Sequence, residues 1–155
     1  MRRPFLAAVL ATCSLAVAAP AAQAVAPVWA PANSISPAAT DTGWPKIAMA
    51  DDGSATVVWV QSDGTDLRVA QRTRGADGSW GPVSYLSDEG VAAAGTGAVW
   101  AIPAGDGSVT VGWLSSGYQH LYLRTRQAGS ARWSDQQEVG GGAESLNGGT
   151  MVAGP

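Results

Sequence analysis

"DGSATVVWV" occupies residues 52–60, and "DGSVTVGWL" occupies residues 106–114. The two stretches share Asp, Gly, Ser, Thr, Val and Trp at a constant spacing of 54 residues. A segment that returns almost intact marks a structural unit used more than once. Asp-Gly forms a tight turn, and the residues after it suit a pleated strand. Along 55–60, Ala55, Val57 and Trp59 share one face, while Thr56, Val58 and Val60 share the other. Both faces are apolar or small, which predicts a strand covered on both sides.

The likeness extends outward. Gly53 pairs with Gly107, Trp59 with Trp113, Leu67 with Leu121 and Arg72 with Arg126, each at 54 residues. Trp80 pairs with Trp133 at 53, as if the second copy had one residue fewer in the turn before it. Each copy reads as four strands. "WPKIAMA" at 44–50 matches "AVWAIPA" at 98–104, with Trp44 and Trp100 near-equivalent. The strand at 55–60 matches 109–114, "LRVAQRT" at 67–73 matches "LYLRTRQ" at 121–127, and "WGPVSYLS" at 80–87 matches "WSDQQEVG" at 133–140.

A four-stranded meander of about 50 residues, apolar on both faces, is the unit of a β-propeller. The predicted fold is all-β: a partial propeller with blades at 44–88 and 97–140. "WAPANSIS" at 29–36 resembles "WGPVSYLS", so a lone outer strand is expected at 28–36. "TMVAGP" at 150–155 falls about one period after "VWAIPA", so a third-blade stub is expected at 149–155. Two blades cannot close a ring of about four to eight. The expectation is a fragment of a longer protein, with self-assembly into a ring as the alternative.

The N-terminus sets the compartment. Arg2 and Arg3 precede an apolar run at 5–19 that is too short for a membrane span, and Ala22-Gln23-Ala24 fits a signal-peptidase site. Residues 1–24 therefore read as a signal peptide and the protein as secreted. "RRPFL" also loosely matches a twin-arginine signal; the general secretory route is preferred. The single cysteine, Cys13, lies in the leader, so residues 25–155 can form no disulfide. Losing Arg2 and Arg3 takes the formal charge from −3 to −5, which argues against nucleic acid and anionic lipid as partners. No second apolar stretch could hold the processed chain in a membrane. Composition agrees with the fold: 20 Gly and 9 Pro break helices, and all 7 Trp follow the leader.

With its acidic-glycine turn, Trp-ending strand, basic third strand and "DGSWGP", the repeat resembles the secreted bacterial propeller repeats grouped with sialidase-like Asp-box (BNR) proteins. The likeness covers roughly 29–140. "RGADGSW" keeps Asp77, Gly78 and Trp80 of the Asp-box but lacks its leading Ser, and "AGSARW" lacks the Asp. The resemblance implies a propeller. It implies catalysis only if an arginine cluster, a Tyr nucleophile with a carboxylate partner and an Asp general acid accompany it.

The repeated residues read as structural. Arg72 and Arg126 are expected to do a repeated job, such as a salt bridge to a turn Asp, and Trp59, Trp113, Trp80 and Trp133 to pack. The residues that break the repeat are the ligand candidates: Tyr118, His120 and Tyr122, whose rings could stack on sugars, with Arg124 beside them. His120 is the only histidine, and no metal site or cofactor is expected. Asp51, Asp52, Asp63, Asp66 and Asp106 lie in Gly-containing turns and read as turn formers rather than a calcium loop. The functional expectation is a secreted, non-catalytic module that binds extracellular glycan or cell-wall polysaccharide. The alternatives are the N-terminal part of a sialidase-like glycoside hydrolase with its catalytic residues beyond Pro155, and a purely structural protein.

Overall fold

The computed structural model describes residues 31–37, 42–95, 98–142 and 146. The expected signal peptide at 1–24 and the expected stub at 149–155 lie outside the described residues. Contacts divide the chain into residues 1–32 and 33–155, and both sheets lie in the second unit.

The fold is all-β, with two antiparallel four-stranded meanders. The first runs β1 (Thr42–Met49), β2 (Ala55–Ser62), β3 (Leu67–Arg74) and β4 (Ser84–Tyr85). The second runs β5 (Val99–Pro103), β6 (Val109–Leu114), β7 (His120–Arg126) and β8 (Gln137–Gly141). In both sheets neighbours in sequence are neighbours in space. Each fourth strand is shorter than its sequence pattern suggests. The backbones of Trp80 and Trp133 pair with β3 and β7 through isolated bridges, to Arg74 and Arg126.

The connecting turns explain the repeated "DGS". In each of 50–54, 75–79 and 104–108 the first residue's carbonyl accepts from the glycine N–H, and the aspartate Oδ1 accepts from the serine N–H at 2.8–2.9 Å. Gly53, Gly78 and Gly107 sit at φ 82°, 86° and 81°, where a side chain is strained. One five-residue turn is thus used three times, including at the Asp-box-like "GADGS".

The faces of β2 behave as its composition requires. Residues 55–61 are all buried. Val58 and Val60, with Ala48, Val69 and Leu86, pack against Val99, Val109, Val111 and Trp113 of the second sheet. Val57, Trp59 and Ala70, on the opposite face, pack against Ile35, Val83 and Tyr85. So the Trp113 face of one meander covers the Val58 face of the other, and the matching Trp59 face turns toward Ile35. Within the expected outer strand at 28–36, the described residues carry no strand; Ile35 nevertheless lies over Trp59. β5 lies against β1 and β2. The linker is stitched to both sheets: Ala93 N–H donates to Leu67 O at 2.6 Å, and Ser116 N–H to Ala92 O at 2.7 Å.

Register corrects three sequence alignments. Val60 pairs with Val69 but Leu114 pairs with Leu121, so the β6–β7 connection is two residues shorter than the β2–β3 connection. Leu67 and Leu121 are therefore not equivalent. Arg126, opposite Val109, takes the place of Arg74, opposite Ala55; Arg124, opposite Val111, takes the place of Arg72, opposite Val57. One residue is regained before Trp133, which leaves the net spacing of 53 seen between the tryptophans. Trp100 pairs with Gly112 as Lys46 pairs with Val58, so Trp44 and Trp100 are not equivalent. Trp44 sits in a β-bulge at φ 53°, a conformation costly for a bulky residue, and is exposed.

Candidate functional site

The arginines join the layers. Arg72 Nε donates to Gly81 O at 2.7 Å, and its Nη1 reaches Ile35 O at 3.3 Å. Arg124, its register equivalent, pairs through Nη2 with the Asp88 carboxylate after β4, and Asp88 N–H donates to Gln136 at 3.0 Å. Each guanidinium thus reaches from a third strand to the chain packed on that strand's own face. The expected bond to a turn aspartate falls elsewhere. Among the described residues neither Arg72 nor Arg126 has a carboxylate within salt-bridge range; Arg68 pairs with Asp63 at 3.4 Å, and Arg124 with Asp88. Arg72 and Arg126 do share one role despite the shifted register. Their guanidiniums lie 5.6 and 5.7 Å from the Trp80 and Trp133 ring centroids.

The structure brings three of the four ligand candidates onto one face of β7. His120 and Tyr122 stack at 6.0 Å, and Tyr122 lies 6.0 Å from buried Trp113. His120 Nδ1 meets Glu138 Oε1 at 2.9 Å, a contact that needs glycine at 141, where a Cβ would stand 2.6 Å from Nδ1. Burial, then the Glu138 charge, pushes the Tyr122 phenol above its usual range. Arg124 is engaged by Asp88. Tyr118 stands apart at φ 60° in the Ser116–Tyr118 3₁₀ turn, with its carbonyl accepting from Leu146 N–H at 2.7 Å. No ring contact or side-chain hydrogen bond joins it to the other three.

A second feature escaped the sequence: a trough at the turn end of the junction between the sheets. One lobe, of about 470 Å³, lies between turns 50–54 and 104–107 and carries Asp51, Asp52, Asp106 and Arg126. The other, of about 510 Å³, carries Gln71, Thr73, Arg74, Ser84, Arg126 and Ser130. Asp52, Ser54, Arg126 and Gly129 line both. Arg126 Nη2 donates to Thr56 Oγ1 of the other sheet at 2.8 Å and Nη1 to Ser130 O at 3.3 Å, while buried Nε has no partner among the described residues. Desolvation lowers its pKa, against the pull of the Asp52 charge. Asp52 and Asp106 are held below the usual carboxylate range, chiefly by the Ser54 backbone N–H and the Ser108 hydroxyl respectively. Both lobes fall in the volume range of about 300–1,000 Å³ typical of small-ligand sites. The signal that could have found the trough was the recurrence of "DGS" at one end of consecutive strands, which places carboxylates at a shared rim.

Among the described residues no three His, Cys, Asp or Glu side chains are grouped to hold a metal ion, and no helix is long and apolar enough to cross a membrane. No family model, curated protein or solved structure matches the chain.

Proposed function

We propose that the two meanders are consecutive blades of a β-propeller, and that the protein is an exported, non-catalytic module binding extracellular glycan or cell-wall polysaccharide. The blade reading is supported by the sense of packing. The Trp113 face of the second sheet stacks on the Val58 face of the first while the matching Trp59 face points away, the first strands β1 and β5 lie side by side, and Arg72 and Arg124 each reach the chain packed on their own face. The binding reading is carried by the trough. It opens where turns from two modules meet, and its lining mixes guanidinium, carboxylate, amide and hydroxyl groups suited to sugar hydroxyls.

A glycan array probed with the full chain tests this. Retention of at least one polysaccharide class is expected. Silence across neutral and acidic glycans overturns the binding reading. Mass spectrometry of the protein in culture medium, showing an N-terminus at residue 25, tests export; a chain retained in the cytoplasm with residues 1–24 intact overturns it.

A further inference from the structure

We propose that the trough takes a polysaccharide in which uronic acid alternates with hexosamine, the acid sugar in the arginine lobe and the amino sugar in the aspartate lobe. This rests on the glycan-binding reading and names the class of glycan.

The inference comes from how charge is divided along the trough. Among the described residues, Arg74 and Arg126 face one lobe, with Asp52 as its only carboxylate. Among the same residues, Asp51, Asp52 and Asp106 face the other, with Arg126 as its only cation. Arg126 and Asp52 belong to both lobes, so the balance of charge reverses across this shared pair, with Arg74 on one side and Asp51 and Asp106 on the other. A guanidinium presents five donors in a planar fork, and Arg126 directs one to Thr56 and one to Ser130. A ligand carboxylate beside this half-buried cation offsets part of its desolvation. The same lobe carries a polar floor for ring hydroxyls, in which Thr73 Oγ1 donates to Gln71 Oε1 at 3.0 Å and Gln71 Nε2 to Ser84 Oγ at 2.7 Å.

The aspartate lobe wants donors. Carboxylates accept from hydroxyls and from the N–H of an acetamido group, and they repel a second carboxylate. A polyuronate would force an acid into this lobe. A neutral chitin-type chain would bring no anion to the arginines. Of these three kinds of chain, the alternating one alone satisfies both lobes at once.

Calorimetry on the full chain with three oligosaccharides of equal length decides the matter: alternating glucuronate and N-acetylglucosamine, oligogalacturonate, and chito-oligosaccharide. The alternating chain is expected to bind about tenfold more tightly than either homopolymer, the effect of one charge-assisted hydrogen bond. Arg74→Gln should remove that advantage and flatten the salt dependence. Asp106→Asn, which preserves the turn acceptor, should raise affinity for oligogalacturonate. If either homopolymer binds as tightly as the alternating chain, the assigned class is wrong while glycan binding stands. If none of the three binds but the array retains another glycan, the class again falls alone. If the array is silent too, both readings fall. Should a variant fail to fold, the three-ligand comparison on the unaltered protein still decides.

Discussion

Arg126 Nη2 and Thr56 Oγ1 meet at 2.8 Å across 70 residues of sequence, and the bond joins the two sheets. Thr56 is fully buried, so its hydroxyl cannot turn to water when the guanidinium is lost. Thr56→Val and Arg126→Leu should each destabilise the protein. A double-mutant cycle should show coupling of about 1.5–3 kcal/mol, the range for a hydrogen bond with one charged partner. Additive losses in urea unfolding would show that the contact does not tie the sheets.

The repeated tryptophans differ in one polar detail. Trp59 Nε1 donates to Gln61 Oε1 at 2.7 Å, and Gln61 Nε2 donates to the Tyr85 hydroxyl at 2.9 Å. Trp113 Nε1 is buried and has no partner among the described residues. Trp59→Phe removes the partner of a buried amide, whereas Trp113→Phe removes an unsatisfied donor. Each variant also leaves a smaller ring in a packed site. The Trp59 change should therefore cost about 1–2 kcal/mol more, the penalty for orphaning a buried polar atom. Equal midpoints in chemical denaturation would contradict this.

Much of the fold is legible in the sequence, because a strand that must be apolar on both faces cannot hide. The alternation of Ala55, Val57 and Trp59 with Thr56, Val58 and Val60 matches the observed burial of the whole strand. What sequence spacing misreads is register. Leu67 and Leu121 align by letter, but a connection two residues shorter moves Arg126 to the place of Arg74. Side-chain reach then restores the Arg–Trp stacking from a different rung, so the shared letter marks a shared contact and not a shared position. The trough was only half legible for a related reason: the "DGS" recurrence marks its carboxylates but not how they come together. Its rim comes from turns 50–54, 104–107 and 128–131, brought together only by the stacking of the two sheets.

The shared turn gives a paired glycine test. Gly53 and Gly107 have φ of 82° and 81°, but a Cβ at Gly53 would meet nothing within 4 Å, whereas one at Gly107 would stand 3.3 Å from the Ala128 Cβ. Alanine in the left-handed region costs about 1–2 kcal/mol at either position. Gly107→Ala should lose more, because the crowding adds to the strain. Thermal unfolding of the two variants checks the order, and an equal or reversed order would mean that the 128–129 turn yields freely.

Acid should weaken the turns before it weakens the core. Asp52, Asp63, Asp77 and Asp106 all titrate below the ordinary value of 3.8: Asp52 and Asp63 chiefly through backbone N–H bonds, Asp77 and Asp106 chiefly through the hydroxyls of Ser79 and Ser108. A carboxyl with a lowered folded pKa binds its proton more readily in the unfolded chain. Its contribution is present above pH 3.8 and is lost as pH falls through the lowered folded value. The urea midpoint should accordingly fall as the pH drops below 3.8 on account of these groups. Asp106→Asn keeps a side-chain acceptor for Ser108 but cannot be protonated in this range, so its midpoint should fall less steeply over the same interval. An unchanged slope would show that the Asp106 bonds favour the charged carboxylate no more in the folded chain than in the unfolded one.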